Sequence, residues 1–278
     1  MKMILGVDIG GSATKIAGLK QDGTVLSTLR VRAEDPLTSL YGAIGSYLVQ
    51  NHLTLDDVAR VVLTGVGASY PDAGGRSIPL CKVDEFHASA AGALYLSGQE
   101  GAVIASLGTG TAFLWADSTG VVRHICGSGI GGGTLVGLCR QLAGTQSFSQ
   151  IQALLEEGDT TKVDLAIRDV CFQSADSLDP SMTASNFGKA AGDALPADRV
   201  AGALNLVLEA IGTMTVLACR NCKTRTVVLT GSLVMLPQAR EKFNVFEKLY
   251  DIQYFIPDNA VFATAIGAAR YSLSLDPH

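Results

Sequence analysis

Two glycine-turned hairpins, far apart in the chain, constrain this sequence most: ILGVDIGGSATKIAGL at 4–19 and VIASLGTGTAFLWA at 103–116. In each, an apolar run ends in small residues, Gly10, Gly11 and Ser12 in the first and Gly108, Thr109, Gly110 and Thr111 in the second, before another apolar run begins. Such a turn leaves backbone N–H groups free of side-chain cover and can cradle phosphate oxygens. A plain hairpin that needs glycine for positive φ has the same local signature. A second echo favours duplication, because VVLTGVG at 61–67 closes the first half and VVLTGSL at 227–233 sits near the end of the second. Two phosphate-type hairpins with matched strand-Gly ends predict a nucleotide held between two halves.

At 278 residues and 47% hydrophobic content, the chain is long enough for two lobes with a substantial core. The halves meet after residue 98, which gives an N-terminal lobe at 1–98 and a C-terminal lobe at 99–278. In the first half we expect strands at 3–7, 13–19, 25–32 and 61–64, helices at 36–50 and from about 84 to 98, and a Gly-rich loop at 65–75. In the second we expect strands at 102–107, 112–116, 121–126 and 226–229. Helices are expected there at 134–142, 148–156, 163–170, 186–194, 197–219 and 262–273. Strands with intervening helices predict an α/β layered fold with its ligand cleft at the strand carboxyl ends, where the glycines lie.

The net charge is −5 and no block of lysine or arginine is present, so we expect no nucleic-acid partner. The apolar stretch at 200–219 carries Asn205 and Glu209 near its middle, and an acidic residue there would cost roughly 2.5 to 3.5 kcal/mol in a bilayer. It reads as a buried core helix, with no membrane partner. Apolar sequence begins at Met3, leaving no room for a signal peptide, which leads us to expect the cytoplasm. Six scattered cysteines, Cys81, Cys126, Cys139, Cys171, Cys219 and Cys222, form no disulfide framework. Cys219 and Cys222 sit three apart on one helix end, a spacing open to redox or metal chemistry but without a second ligand pair nearby.

Several residues are placed to carry chemistry. Asp8, at the mouth of the first turn, can hold Mg²⁺ or cap the hairpin. Lys15 on the returning strand can reach a phosphate or face solvent. Gly131, Gly132 and Gly133 precede a helix, whose N-terminus offers unpaired N–H donors to phosphates. Glu85 opens a helix, where the dipole favours an acid whatever its role, and it can equally serve as a general base. Arg123 and His124 can meet an anionic substrate or cap a strand edge.

The residues resemble a family, the type II pantothenate kinases of the actin-like ATPase superfamily, nearly end to end. The resemblance is carried by GVDIGGSATKI, VDEF at 83–86, SLGTGT at 106–111 and GSGIGGGTLVGLCRQLAG at 127–144. More specific are EEGDTTKVDLAIRDV at 156–170 and SNFGK at 185–189. It implies a duplicated actin-like (ribonuclease H-like) ATPase fold with an interlobe nucleotide cleft, and ATP with Mg²⁺ as cofactors. The implied activity is phosphorylation of pantothenate, by a homodimer of the sort the family forms. It places the catalytic glutamate on Glu85, nucleotide contacts on Asp8, Gly10, Gly11, Ser12, Lys15, Thr109, Gly131, Gly132, Gly133, Gly231 and Ser232, and a metal on Asp8. Substrate contacts would come from Thr109, Thr111, Arg123 and His124. Two positions depart from the pattern: the family's substrate-side arginine falls on His124, and its substrate-side serine on Ala112. Those departures keep two other readings open, a kinase for a related hydroxy acid or pantothenate derivative, and a non-catalytic nucleotide-binding regulator.

Overall fold

The duplicated motifs build two sheets with the same wiring. The computed structural model describes residues 2–32, 35–65, 67, 79–170, 180–189 and 192–274. The first half runs β1 (Met3–Ile9), β2 (Ala13–Leu19), β3 (Val25–Arg32), α1 (Pro36–Gln50), β4 (Val58–Thr64), β5 (Leu80–Lys82) and α2 (Glu85–Ser97). The second runs β6 (Gly101–Leu107), β7 (Thr111–Asp117), β8 (Val122–Ser128), α3 (Gly132–Ala143), α4 (Phe148–Glu157), β9 (Leu165–Ala166), α5 (Ile167–Val170), β10 (Thr183–Ser185), α6 (Pro196–Cys222), β11 (Thr226–Gly231), α7 (Pro237–Tyr250), β12 (Gln253–Phe255) and α8 (Ala263–Ser274). The sheet orders are β3-β2-β1-β4-β5 and β12-β11-β6-β7-β8. Read from the opposite end, the second repeats the first strand for strand: an antiparallel meander of three, then two parallel strands.

The VVLTG echo has a structural counterpart. Its glycines, Gly65 and Gly231, end the equivalent strands β4 and β11 with φ of 88° and 95°, a conformation that glycine adopts without the steric penalty of a Cβ. Each turns the chain away at a strand carboxyl end.

Helices join the halves. α2 packs Ala90 and Ala93 on Ala102, Ile104 and Leu114 of the second sheet, whereas α8, from the far end of the chain, packs Ala265, Ile266 and Ala269 on Ile4, Ala17 and Val62 of the first. A cut between residues 98 and 99 therefore divides the strands but not the helices. The two helices lie against each other through small residues: a Cβ on Gly92 would meet Ala263 O at 1.8 Å, one on Gly267 would meet Ala88 O at 1.8 Å, and Ser89 Oγ bonds Thr264 Oγ1 at 3.0 Å in the buried seam.

α6 is the one helix among the described residues long and apolar enough to span a bilayer, but the apolar part is 67% buried. Val200, Leu204, Val207 and Ile211 pack it into the core with Val103, Ala105 and Phe113. Its start is set by proline in the first turn and its end by Lys223 in the left-handed region, consistent with the usual asymmetry of helix ends.

Among the described residues, neither the helix expected at 163–170 nor the one expected at 186–194 forms as read. The segment at 163–170 forms β9 and the four-residue α5 instead, because Asp164, only 6% exposed, is bonded by partners far along the chain: Phe187 N–H donates to it at 2.8 Å and Asn205 Nδ2 at 2.7 Å. Among the described residues of 186–194 there are turns rather than a helix. Phe187 there adopts a φ of 56°, and Asn186 Nδ2 donates to Glu209 on α6 at 3.0 Å. Residues 190 and 191, most of the loop expected at 65–75, and Cys171 lie outside the described residues. The sequence reading also lacked β5, β9, β10, α7 and β12.

These bonds join the EEGDTTKVDLAIRDV and SNFGK segments into one clasp on α6, and burial is the main cause that pushes the Asp164 carboxyl above the usual range. Asp164→Ala leaves two donors without their acceptor, at roughly 1–3 kcal/mol each. The expected result is a lower denaturant midpoint, with Asp164→Asn falling between the variant and the wild type because it retains one carbonyl acceptor.

Candidate active site

The carboxyl ends of β1 and β6 bring the two hairpin turns face to face. Gly10 N–H donates to Ala13 O at 3.2 Å to close the first turn, and Ser12 Oγ at its tip bonds Thr109 Oγ1 at the tip of the second, 3.1 Å apart. Gly11 lies alongside, its Cβ direction 3.9 Å from Thr109 Oγ1. Both hydroxyls remain exposed, so the facing tips are open to solvent.

At the mouth of the first turn, Asp8 and Lys15 are cross-strand partners in the β1–β2 register, and the Lys15 ammonium bonds Asp8 Oδ2 at 3.1 Å, with side chains only 13% and 7% exposed. Lys15 thus turns into the cleft rather than toward open solvent. Thr64, the β4 partner of Asp8, carries a buried hydroxyl without a hydrogen-bond partner among the described residues. A carboxylate is a hard oxygen donor of the kind Mg²⁺ takes, and Mg²⁺ in phosphoryl-transfer sites needs only one or two carboxylates beside phosphate and water. Asp8 fits that part.

Glu85 approaches from α2. Asp84 caps this helix, its Oδ1 accepting from Phe86 N–H at 3.0 Å, His87 N–H at 3.1 Å and His87 Nδ1 at 3.0 Å, which fixes the first turn. Glu85 is exposed, yet the protein around it shifts its titration. Desolvation first, and the negative Asp8 second, push its carboxyl above the ordinary glutamate range, with Lys15 pulling the other way and Asp84 adding a smaller push. Glu85, Asp8 and Lys15 therefore form one electrostatic group, assembled from the start of α2 and the strands β1 and β2.

The glycine triplet corrects an expectation. The amides read as open phosphate donors are taken within the chain: Gly132 N–H donates to Gly108 O at 2.8 Å, Gly133 N–H to Thr109 O at 2.9 Å, and Gly131 N–H to Thr134 Oγ1 at 3.3 Å. Glycine is required there for close approach, since a Cβ on Gly131 would meet Thr109 O at 2.7 Å and one on Gly133 would meet Thr109 Cγ2 at 2.8 Å. The start of α3 buttresses the second hairpin. Gly231, paired with Leu107, brings Ser232 to the same end of the sheet, and Gly132 faces Leu233 just beyond.

Thr111 is likewise spent on structure. It is buried, and its hydroxyl donates to Ile130 O at 2.8 Å, so it is not free for a substrate as expected. Arg123 and His124 separate: the Arg123 guanidinium reaches Cys222 Sγ at 3.3 Å at the end of α6, whereas His124 stacks on Phe86, ring centroids 4.8 Å apart and planes 9° from parallel. Arg123 does not join the cleft group. Cys219, beside Cys222, is buried, and its thiol is pushed up to about 12, mainly by desolvation. No cluster of three metal-ligating side chains occurs among the described residues.

The Fumble family model matches residues 101–256, which is more than half of the chain. The chain belongs to the Fumble family. Relatives extend the match over both lobes: a protein named type II pantothenate kinase from Oceanobacillus iheyensis is 28% identical, covering 95% of this chain and 97% of that protein. One of the same name from Staphylococcus aureus is 26% identical over 96% and 98%. Among solved structures, the activator of 2-hydroxyisocaproyl-CoA dehydratase from Clostridium difficile with bound ADPNP superposes with a TM-score of 0.68 at 18% identity, covering 98% of this chain and 94% of that one. A ROK family glucokinase from Streptomyces griseus in complex with glucose and AMPPNP does so at 0.60 and 15%, covering 97% and 98%. These two likenesses fix the fold of this Fumble-family chain as the actin-like ATPase fold.

Sequence reasoning missed three residues of the site in this Fumble-family chain. Gly65 lies against Asp8, where a Cβ would come 2.7 Å from Oδ1, and Thr64 precedes it. The VVLTG echo contained both, but only its second copy was carried to the site. Phe86 lay within the VDEF motif, but its contact gave no signal, because its partner His124 is brought to it only by the folded sheet.

Proposed function

We propose that the chain is an ATP-dependent kinase that phosphorylates pantothenate, using Mg²⁺, as the first step toward coenzyme A. What supports the reading is the electrostatic influence of Asp8 and Lys15 on Glu85, in a chain matched nearly end to end by proteins that bear the name pantothenate kinase. ATP would supply the phosphoryl group, and its phosphates suit the turns at Gly10, Gly11 and Ser12 and at Thr109, with the Gly231-Ser232 turn beside them. Mg²⁺ would be held by Asp8 and would neutralise charge on the phosphates. Phosphoryl transfer asks the protein mainly for positioning and charge stabilisation. Lys15 contributes the positive charge, and Glu85 takes the proton from the attacking hydroxyl of the substrate. The raised Glu85 pKa suits a base working near neutral pH. A homodimer in the cytoplasm completes the proposal.

A second reading, a kinase for a related hydroxy acid, draws on one observation: His124 is engaged with Phe86 and Arg123 with Cys222, which leaves the anionic end of the substrate without an evident arginine. Comparing kcat/KM for pantothenate with a panel of hydroxy acids and pantothenate derivatives decides between the two. Pantothenate as the best acceptor supports the first reading, and a much better acceptor in the panel replaces it.

The titration of Glu85 gives a signed prediction. A base must be ionised to act, so activity falls as pH drops through its raised pKa, and the acid limb of the kcat/KM profile lies above the ordinary glutamate range. Lys15→Met removes the cation that lowers the Glu85 pKa and is expected to move that limb to higher pH. A limb that stays in place or moves down would show that the titrating group is not Glu85.

A further inference from the structure

β8 is an edge strand with an irregularity where it passes α2. Phe113 pairs with Cys126 but the next residue, Leu114, pairs with His124, so Ile125 is an extra residue in β8. Bulges of this kind re-aim side chains and are common near active sites. Directly paired residues share a face, and Leu114 packs with Ala90 and Ala93 of α2. His124 therefore emerges on the α2 side, while its neighbour Arg123 reaches Cys222 on the other.

There the imidazole lies on the ring of Phe86, 4.8 Å between centroids and 9° between planes, a separation at which aromatic pairs add directional attraction to burial. Phe86 directly follows Glu85. The first turn of α2 is also held by the Asp84 cap and by the ring of Tyr271 against His87, and the helix beyond it by the seam with α8 and by the second sheet. Those contacts hold α2 from the α8 and sheet sides, and the stack adds a contact from β8 at the residue next to Glu85. We infer that His124 is a positioning residue: stacked on Phe86, it holds the opening turn of α2 so that Glu85 faces the Asp8–Lys15 pair.

The inference rests on the reading of Glu85 as the base of a kinase, so its test has an arm that needs no turnover. Hydrogen exchange of the peptide spanning residues 85–89 is expected to be faster in His124→Ala than in the wild type and to return toward wild type in His124→Phe, which keeps a ring able to stack. In turnover, His124→Ala is expected to lower kcat by about 10- to 100-fold with KM for the acceptor changed by less than about twofold. His124→Phe is expected to recover most of that loss. Phe86→Ala should match His124→Ala, and the double variant should be no worse than either, because both remove one contact. A KM increase at unchanged kcat, not rescued by phenylalanine, would make His124 a substrate contact and overturn the inference. Unchanged exchange in His124→Ala would overturn it too, even if the wild type proved inactive on pantothenate, a result that by itself would sink only the kinase reading.

Discussion

Glu85→Gln is expected to lower kcat by about 10²- to 10⁴-fold, the usual worth of general base catalysis, and to leave ATP affinity nearly unchanged. Glutamine keeps the size of the side chain and its place in the first turn of α2, while Asp84, which caps the helix through Phe86 and His87, is untouched. What it removes is the proton acceptor. It also removes a negative charge beside Asp8, so any change in nucleotide binding should be slight and favourable. Initial rates with saturating acceptor, beside ATP affinity from calorimetry, read the two quantities separately. Turnover equal to wild type would reduce Glu85 to an acid favoured by the helix dipole, worth about 0.3–1 kcal/mol and nothing in the reaction.

A large effect on stability is expected at the seam between the lobes. In Gly267→Val the new Cβ would sit 1.8 Å from Ala88 O and 2.4 Å from Gly92 N. Both are backbone atoms of α2, so no side chain can swing aside. The helices must separate, which breaks the Ser89–Thr264 bond and opens the small-residue seam. Overpacking of this kind costs about 1–3 kcal/mol and sometimes more, and for a chain of this size each kcal/mol lowers Tm by roughly 2–4 °C. Because α2 carries Glu85, activity should fall beyond what the lost stability explains, measured at a temperature where the variant is fully folded. A Tm within about a degree of wild type would mean that α2 and α8 are not held as closely as their backbones indicate.

What was legible in the sequence followed from local chemistry. Glycine turns between apolar runs marked both hairpins, and the repeated VVLTG marked equivalent strands, whose glycines share a positive φ. Proline marked the start of α1, and glycine the end of α2. What was not legible depended on contacts between distant segments. The helix propensity of 163–170 lost to a buried Asp164 whose partners lie at 187 and 205. The triplet at 131–133 has the composition of a phosphate-binding helix start, yet its amides are claimed by the hairpin at Gly108 and Thr109, a pairing that only the sheet creates. α7 was within reach: Ala239, Phe243 and Phe246 form its buried face, with a proline at its start. Its many charged residues masked that period. The exchange of helices between halves had no sequence signal beyond small residues in α2 and α8, and such residues suit many packings.

The decisive measurement is the mass of the product formed from pantothenate by the wild-type protein with Mg-ATP, followed in parallel with ADP release. Phosphopantothenate appearing in step with ADP, and absent when either pantothenate or Mg²⁺ is withheld, is the expected result. ADP release that ignores pantothenate, or ATP binding without any phosphorylated product, would contradict the kinase reading.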